Sequence, residues 1–476
     1  MSDPSLFSPH DVLAVHRSKG YGYWRHREDR RRARQPLYAP QAGQQPVFER
    51  IVDHENLLRA FETLRQEGGK APGIDGLTYD DFSRSEIADT LRTVSKSLAA
   101  QKYRPYPTRR VLVPKSAKRF RELRLATIVD RTVAKALQEA ISRLLDNLFL
   151  PGVFAYRPGR STLDMLLAIE HTAIEQNRWV LAVGDVKDAF PSVRIADVTD
   201  DYRRYIECEQ VLWLVEAVLR GHKGQAHTVG IDQGTAVGPG SFNLRLHHAL
   251  DLPYSADPEN PRWFRWADDL AYVCQSVSEG YQTLRKARTF LQRAGLDLKD
   301  ENGQPANLKR QGASVQLLGY SVSYEDGRLC YALGRKAWTG LDRGLETAHG
   351  AADPGETAKM AMRGWLAAFG PAFEDADSVT LEKVLAVMAR KGFREACTEE
   401  DLRTWLRDVL LTWSAKRGSA LRSTPTDGTT SPDEPNRDIS QLLASDDVLR
   451  TSTDPPAIMA GEAGCPGDLP GQSAPF

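Results

Sequence analysis

The 476-residue chain changes its hydrophobic period several times, and each change marks an element. Between residues 53 and 101 apolar side chains recur at helical spacing, as in "HENLLRAFETLRQ". That period is broken by "GGKAPGIDGLTYDDF", where glycine and proline predict a loop. A short apolar strand follows in "RRVLVPK", residues 109–115, with Pro114 expected to end it. "DRTVAKALQEAISRLLDNLF", 130–149, sets Val133, Leu137, Ile141, Leu144 and Leu148 on one face of an amphipathic helix. "WVLAVGDVKDAFPSV", 179–193, is an apolar strand that stops at Asp185. Residues 195–220 read as helical, and "GIDQGTAVGPGSFNLRLHHALD", 230–251, as a glycine-rich loop feeding a helix. "FRWADDLAYVC", 264–274, is a strand or hairpin that carries two adjacent aspartates. Then come a helix closed by Gly295, a strand pair in "SVQLLGYSVS", and mostly helical sequence over 335–418. Helices segregated from a small sheet make an α+β fold, not an alternating parallel one.

Charge changes this picture at three places. Overall the chain is balanced, with 63 basic and 63 acidic side chains, but the balance is uneven along it. From Lys102 to Lys135 eleven Lys and Arg face only Glu122 and Asp130, with Tyr103, Tyr106 and Val111–Val113 interleaved. A dense basic segment that also packs suits a polyanion, whereas a plain charge run is a solvated face. Residues 1–52 form a basic arm containing "RHREDRRRARQ". Residues 421–476 are acidic and proline-rich, a composition that predicts disorder. The five cysteines form no C-x-x-C pair, which excludes a zinc site or disulfide framework of familiar spacing and fits a reducing, cytoplasmic setting. No apolar run reaches the roughly 18 residues of a membrane span, so no membrane partner is expected.

The chemistry starts from Asp268 and Asp269. Two adjacent carboxylates in an apolar segment either form an exposed turn or await a counter-charge. Asp185 ends a second apolar strand. If the two strands lie side by side, the carboxylates converge, and hard oxygen ligands of that kind suit Mg²⁺ or Mn²⁺ with substrate phosphates as further ligands.

In order from about residue 70 to 370, the motifs resemble those of bacterial reverse transcriptases of the group II intron and retron-like kind. They are "GIDGLTYDDF", "RRVLVPK…RELRLATIVDR", "AYRPGRSTLDML", "GDVKDAF", "GIDQGTAVGPGSFNL", "WADD", "GLDL", "LLGYSV" and "MRGWLAAFG". The resemblance implies a right-hand polymerase. Residues 53–178 would be an N-terminal extension and fingers, 179–330 a palm with an antiparallel sheet, and 331–420 a helical thumb, with the reverse transcriptase domain at about 95–325. It implies an RNA-directed DNA polymerase that takes an RNA template and dNTPs, makes DNA and uses two Mg²⁺ ions.

By the same resemblance Asp185, Asp268 and, less directly, Asp269 hold the metals, and Phe190 closes against the sugar 2′-carbon. Lys115 and Arg121 meet the triphosphate, while Gln233 and Gly234 sit against the template base and nucleotide. Arg157 and Gly159 line the template path, and Lys118, Arg119 and Arg124 belong to the basic nucleic-acid patch. The proton donor to pyrophosphate is Lys299 or Lys309, because the spacing in "GLDLKDENGQPANLK" is stretched. The chain departs from the family's pattern at Trp266, where Tyr is usual, at Asp232, Thr235 and Ala236 around the Gln-Gly pair, and at Ala126. None of these removes a metal ligand. The departures favour a stand-alone enzyme of antiviral-defence or retron type. A truncated intron-encoded protein, or a non-catalytic RNA-binding splicing factor on the same scaffold, are the rivals.

Overall fold

The computed structural model describes residues 38–41, 44–67, 69–116, 119–299, 304–351, 353–374 and 378–422. Most of the basic arm and all but the start of the acidic C-terminal segment lie outside them. Two long helices open the described fold, α1 (His54–Glu67) and α2 (Arg84–Ala99), the second started by a reciprocal Ser83–Glu86 cap. Strands β1 (Arg109–Ser116) and β2 (Arg119–Leu125) form a separate antiparallel hairpin. Strand β1 does not stop at Pro114. It runs on to Ser116, and the pairing shifts register between the two, the irregularity at which a strand tolerates a residue without an N–H. Helix α3 (Ile128–Leu148) follows at once, with Thr127 capping the N–H of Asp130.

A four-stranded sheet forms the middle of the chain, in the order β4-β5-β3-β6. Its members are β3 (Val180–Asp185), β4 (Arg262–Trp266), β5 (Asp269–Cys274) and the two-residue β6 (Ala306–Asn307). All described pairings in it are antiparallel. Strand β3 is buried along its whole length because both faces are covered. Val180, Ala182, Leu270 and Tyr272 belong to one core, with Ala287 and Leu291 of α8 (Val277–Arg293). Leu181, Val183, Ala271 and Val273 point the other way, into a second core with Met165 and Leu166 of α4 (Thr162–Glu175). Alternation within the strands therefore divides the molecule into two packed layers.

Between β3 and β4 the chain forms α5 (Ile195–Arg203), α6 (Glu209–Arg220) and α7 (Gly238–Leu246), which continues through a π-helical turn at His247–Asp251. The segment expected to be one helix over 195–220 is thus two. A third sheet, β7 (Val315–Leu317), β8 (Tyr320–Glu325) and β9 (Arg328–Leu333), adds a strand to the expected pair. Four helices close the described chain: α9 (Arg335–Ala348), α10 (Pro354–Phe369), α11 (Ser378–Arg390) and α12 (Glu399–Arg422). The architecture is mixed α and β with antiparallel sheets. Among the described residues no helix is long and apolar enough to cross a membrane.

Candidate active site

The two aspartate-bearing segments are neighbours. Strand β5 lies antiparallel to β3, and Asp269 pairs in register with Asp185. Directly opposite residues of an antiparallel pair project to the same face, so these two share one side of the sheet edge. Trp266 pairs with Asp269 across the β4–β5 hairpin, leaving Ala267 and Asp268 as its two-residue turn. Ala267 takes a left-handed φ of +54°. The carbonyl of Asp268 accepts the N–H of Val186 at 3.0 Å, which ties the turn to the end of β3. Of the two aspartates, Asp268 is therefore a turn residue and Asp269 the strand partner of Asp185.

The electrostatics follow from that crowding. Asp185 is only 6% exposed. Burial raises the Asp268 carboxyl above its ordinary range, and the charge of Asp185 raises it further. Asp269 is pushed up to about 6, chiefly by burial, against the pull of Lys336 and with a push from Asp268 and Asp185. The Nζ of Lys336 stands 3.8 Å from Asp269. Lys299 donates from Nζ to Oδ1 of Asp185, and its main-chain N–H donates to the Asp185 carbonyl at 2.9 Å. The "GLDL" turn brings it there, since Leu298 bridges Val186 and Lys187 donates to the carbonyl of Asp297 at 2.7 Å.

Lys309, the other lysine in question, lies at the far end of β3. It sits 5.6 Å over the Trp179 ring and 5.7 Å over that of Tyr324. Five strand steps separate Val180 from Asp185, roughly 17 Å. Of the two, Lys299 is beside the carboxylates.

The Asp268 and Asp269 carboxyls, whose ionisation is opposed by burial and by neighbouring negative charge, fit a hard divalent cation, which favours the charged form. Among the described residues no three His, Cys, Asp or Glu side chains form a ready metal cage. The residues fit an ion of the Mg²⁺ kind, held by one or two carboxylates and completed by water and phosphate.

Phe190 follows on a short helical turn at Ala189–Ser192, after Asp188 with a φ of +42°. Its ring stacks on buried Phe242 at 4.6 Å between centroids, while Phe190 itself stays partly exposed. Its carbonyl accepts the N–H of Ile231 at 2.9 Å, which ties the strand end to the glycine-rich loop. That loop docks on β2: the Arg124 N–H donates to the Gln233 carbonyl at 3.1 Å. Gly234 has a φ of +122°, and a Cβ there would meet the Arg124 carbonyl at 3.0 Å. Conformation and close approach both demand glycine.

The basic patch is only partly free. Glu122 pairs with both Arg110, at 2.6 Å, and Arg124. Lys115, Arg119 and Arg121 are placed by strand position alone, within the β1–β2 hairpin, and Lys118 lies outside the described residues. The Arg157 side chain is engaged within the chain. Its guanidinium turns inward, with Nε on Asp146 Oδ1 at 2.6 Å, Nη2 on the Asp146 carbonyl at 2.8 Å and Nη1 on the carbonyls of Phe149, Leu150 and Val153. It braces the loop below Gly159, which is exposed with a φ of +74°. Two groups near the site escaped the sequence reading, Lys336 and the buried Arg265. A charge inside "FRWADD" was the available signal for Arg265, and nothing local named its partner.

The family model for reverse transcriptase (RNA-dependent DNA polymerase) matches residues 113–322. The chain is 26% identical over 234 residues to Protein YkfC of Escherichia coli (strain K12), across 46% of this chain and 61% of that protein. It is 26% identical over 232 residues to the group II intron-encoded protein LtrA of Lactococcus lactis subsp. cremoris, across 45% and 37%. An uncharacterized 91 kDa protein in the cob intron of Schizosaccharomyces pombe matches at 24% over 202 residues, across 41% and 24%. The chain thus spans between a quarter and three fifths of the length of these relatives. Residues 113–322, which hold Asp185, Asp268, Asp269, Phe190 and the Gln233–Gly234 loop, are the part of the chain that matches the reverse transcriptase model, and the relatives similar to it include a bacterial group II intron-encoded protein.

Proposed function

We propose that this chain is an RNA-directed DNA polymerase that adds dNTPs on an RNA template. The observation that carries the reading is the junction of β3 with the β4–β5 turn, where Asp185 meets Asp268 and Asp269 with Lys299 beside them. Asp185 and Asp268 would hold the divalent ions, with Asp269 less directly engaged. When bound, two Mg²⁺ or Mn²⁺ ions supply Lewis-acid activation of the attacking 3′-hydroxyl and neutralise charge on the triphosphate. As the α-phosphorus–oxygen bond to pyrophosphate breaks, Lys299 Nζ gives its proton to the leaving oxygen.

Phe190 sets the sugar, its ring held from beneath by Phe242. Gln233 and Gly234 support the template base and nucleotide, and Lys115 and Arg121 take the triphosphate. Gly159, Lys118, Arg119 and Arg124 belong to the nucleic-acid path. In this reading the β1–β2 hairpin with the preceding helices is the fingers, the central sheet the palm, and α9 to α12 the thumb.

A second reading, a truncated intron-encoded reverse transcriptase, is supported by the similarity to the intron-encoded LtrA and cob-intron proteins. A stand-alone defence enzyme would instead copy an RNA unrelated to any intron. Sequencing the nucleic acid that co-purifies with the protein separates the two.

The chemistry is tested by primer extension on RNA with dNTPs and Mg²⁺. Wild type should extend the primer. Asp268→Asn, which keeps the shape and removes a hard ligand, should abolish extension while leaving RNA affinity and melting temperature near wild type. Asp185→Asn should behave alike, with the double variant little worse than either. Extension by Asp268→Asn at the wild-type rate would overturn the assignment.

A further inference from the structure

Arg265 lies on β4, three residues before Asp268, and is fully buried. Its Nε and Nη2 donate to the two carboxylate oxygens of Asp251 at 3.0 and 2.6 Å, so the buried charge is met by a forked pair. Nη1 is left over from that pair. It donates to the side-chain oxygen of Asn243 at 2.7 Å and to the main-chain carbonyl of Ala267 at 3.2 Å. Asn243 passes the tie onward, donating from Nδ2 to the carbonyl of Ala155 at 2.8 Å. Asp251 and Asn243 are themselves fully buried.

Ala267 is a residue that needs holding. It is the first residue of the two-residue turn, with a left-handed φ that residues carrying a Cβ adopt reluctantly. Its carbonyl belongs to the peptide plane that leads into Asp268, and a planar peptide fixed at its oxygen fixes the direction of the next Cα. The following peptide is fixed as well, because the Asp268 carbonyl accepts from Val186. The turn is thus pinned on both sides of Asp268, once by Arg265 and once by the strand that carries Asp185.

We propose that Arg265 is a positioning residue that sets the place of the Asp268 carboxylate through the Ala267 carbonyl. Through Asn243 it registers that carboxylate against α7, the helix that follows the Gln233–Gly234 loop. This rests on the polymerase reading for what the carboxylate does, but not for the hold itself. A lysine cannot take over the role: one ammonium lacks the rigid fork needed to grip both Asp251 oxygens and still reach the turn.

The experiment compares wild type, Arg265→Lys, and the charge-neutral pair Arg265→Gln/Asp251→Asn. The pair keeps the test open if the lysine variant does not fold, since it leaves no buried charge unmatched. Three readouts are taken: amide hydrogen exchange at Val186 and Asp269, Mn²⁺ affinity by electron paramagnetic resonance, and kcat and KM for dNTP. In a folded variant, judged by a cooperative melt, the Val186 amide should exchange at least about tenfold faster as the turn loosens. Mn²⁺ binding should weaken about tenfold, and kcat should fall about a hundredfold with KM for dNTP little changed, the signature of a misplaced reacting centre. Exchange and Mn²⁺ affinity within threefold of wild type in a folded variant would overturn the inference. A wild type that extends no primer would overturn the polymerase reading, and the exchange measurement would still decide whether Arg265 holds the turn.

Discussion

Phe190 shows how much one side chain can decide. Its ring lies on buried Phe242 with the other side partly open. In its proposed role, a ring held from below would not yield to an extra oxygen on a sugar placed above it. Phe190→Ala should therefore shrink the dNTP/NTP ratio in kcat/KM by one to several powers of ten, at about 1.4 kcal/mol for each. Steady-state incorporation of both nucleotides by wild type and variant, beside a melting curve, measures it. A large loss of stability with an unchanged ratio would make Phe190 a core residue only. At this scale the sequence was readable where a charge broke an apolar run: Asp185, Asp268 and Asp269 announced themselves in that way. Arg265 did not, because its partner Asp251 comes from a π-helical turn 14 residues earlier, and no local spacing links the two. The partners of Arg157, the Asp146 carboxylate and the carbonyls of Asp146, Phe149, Leu150 and Val153, were not legible either, because the turn of the chain after α3 sets them.

The β1–β2 hairpin and the π-helical turn after α7 each carry a measurable consequence. Replacing Lys118, Arg119 and Arg124 with Ala should weaken nucleic-acid binding and flatten its salt dependence. Each lost phosphate contact removes about 0.9 from the log–log slope on duplex. Arg124 should contribute less than a full contact, because Glu122 already holds it. An unchanged slope would make the hairpin a merely solvated face. In the π-helical turn, burial, helped by the charges of His248 and Arg265, holds the His247 imidazole down at about 3. The unfolded chain takes up a proton there near pH 6.5 and the folded one does not. The stabilisation is thus complete above pH 6.5 and is lost as pH falls toward 3, by about 2 kcal/mol at pH 5. His247→Leu should show a smaller fall in melting temperature between pH 7 and pH 5. Elements with strong periods were legible, α3 and β3 above all. The paired bulge at Pro114 and the strand β9 were not, because register and a third sheet partner depend on residues far along the chain.

Across the whole molecule, α12 fastens the end of the described chain to its middle. Arg417 donates to Glu170, to Glu374 at 2.6 Å and to the Leu329 carbonyl at 2.8 Å, while Lys416 meets Asp164 at 2.6 Å. Trp413 is fully buried in the same core as Leu166 and Val183. Arg417→Ala should cost about 3–5 kcal/mol, since Glu170 would stay buried without its partner. Denaturant unfolding of the two proteins checks it. Deleting residues 424–476 should leave primer extension intact, because α12 is complete at Arg422 and the acidic, proline-rich segment has little apolar surface to bury. Loss of extension would contradict this. Lys416 and Asp164 are 252 residues apart, and that separation is also a delay. At about 5–20 residues per second, the ribosome makes α4 roughly 10–50 s before the helix that covers it. Throughout that interval the part of the second core that Trp413 fills stays open, so the nascent domain exposes a hydrophobic surface that a holding chaperone could bind. The rate at which cells obtain active protein then depends on how long the first-made half can be kept from aggregating while it waits for the last.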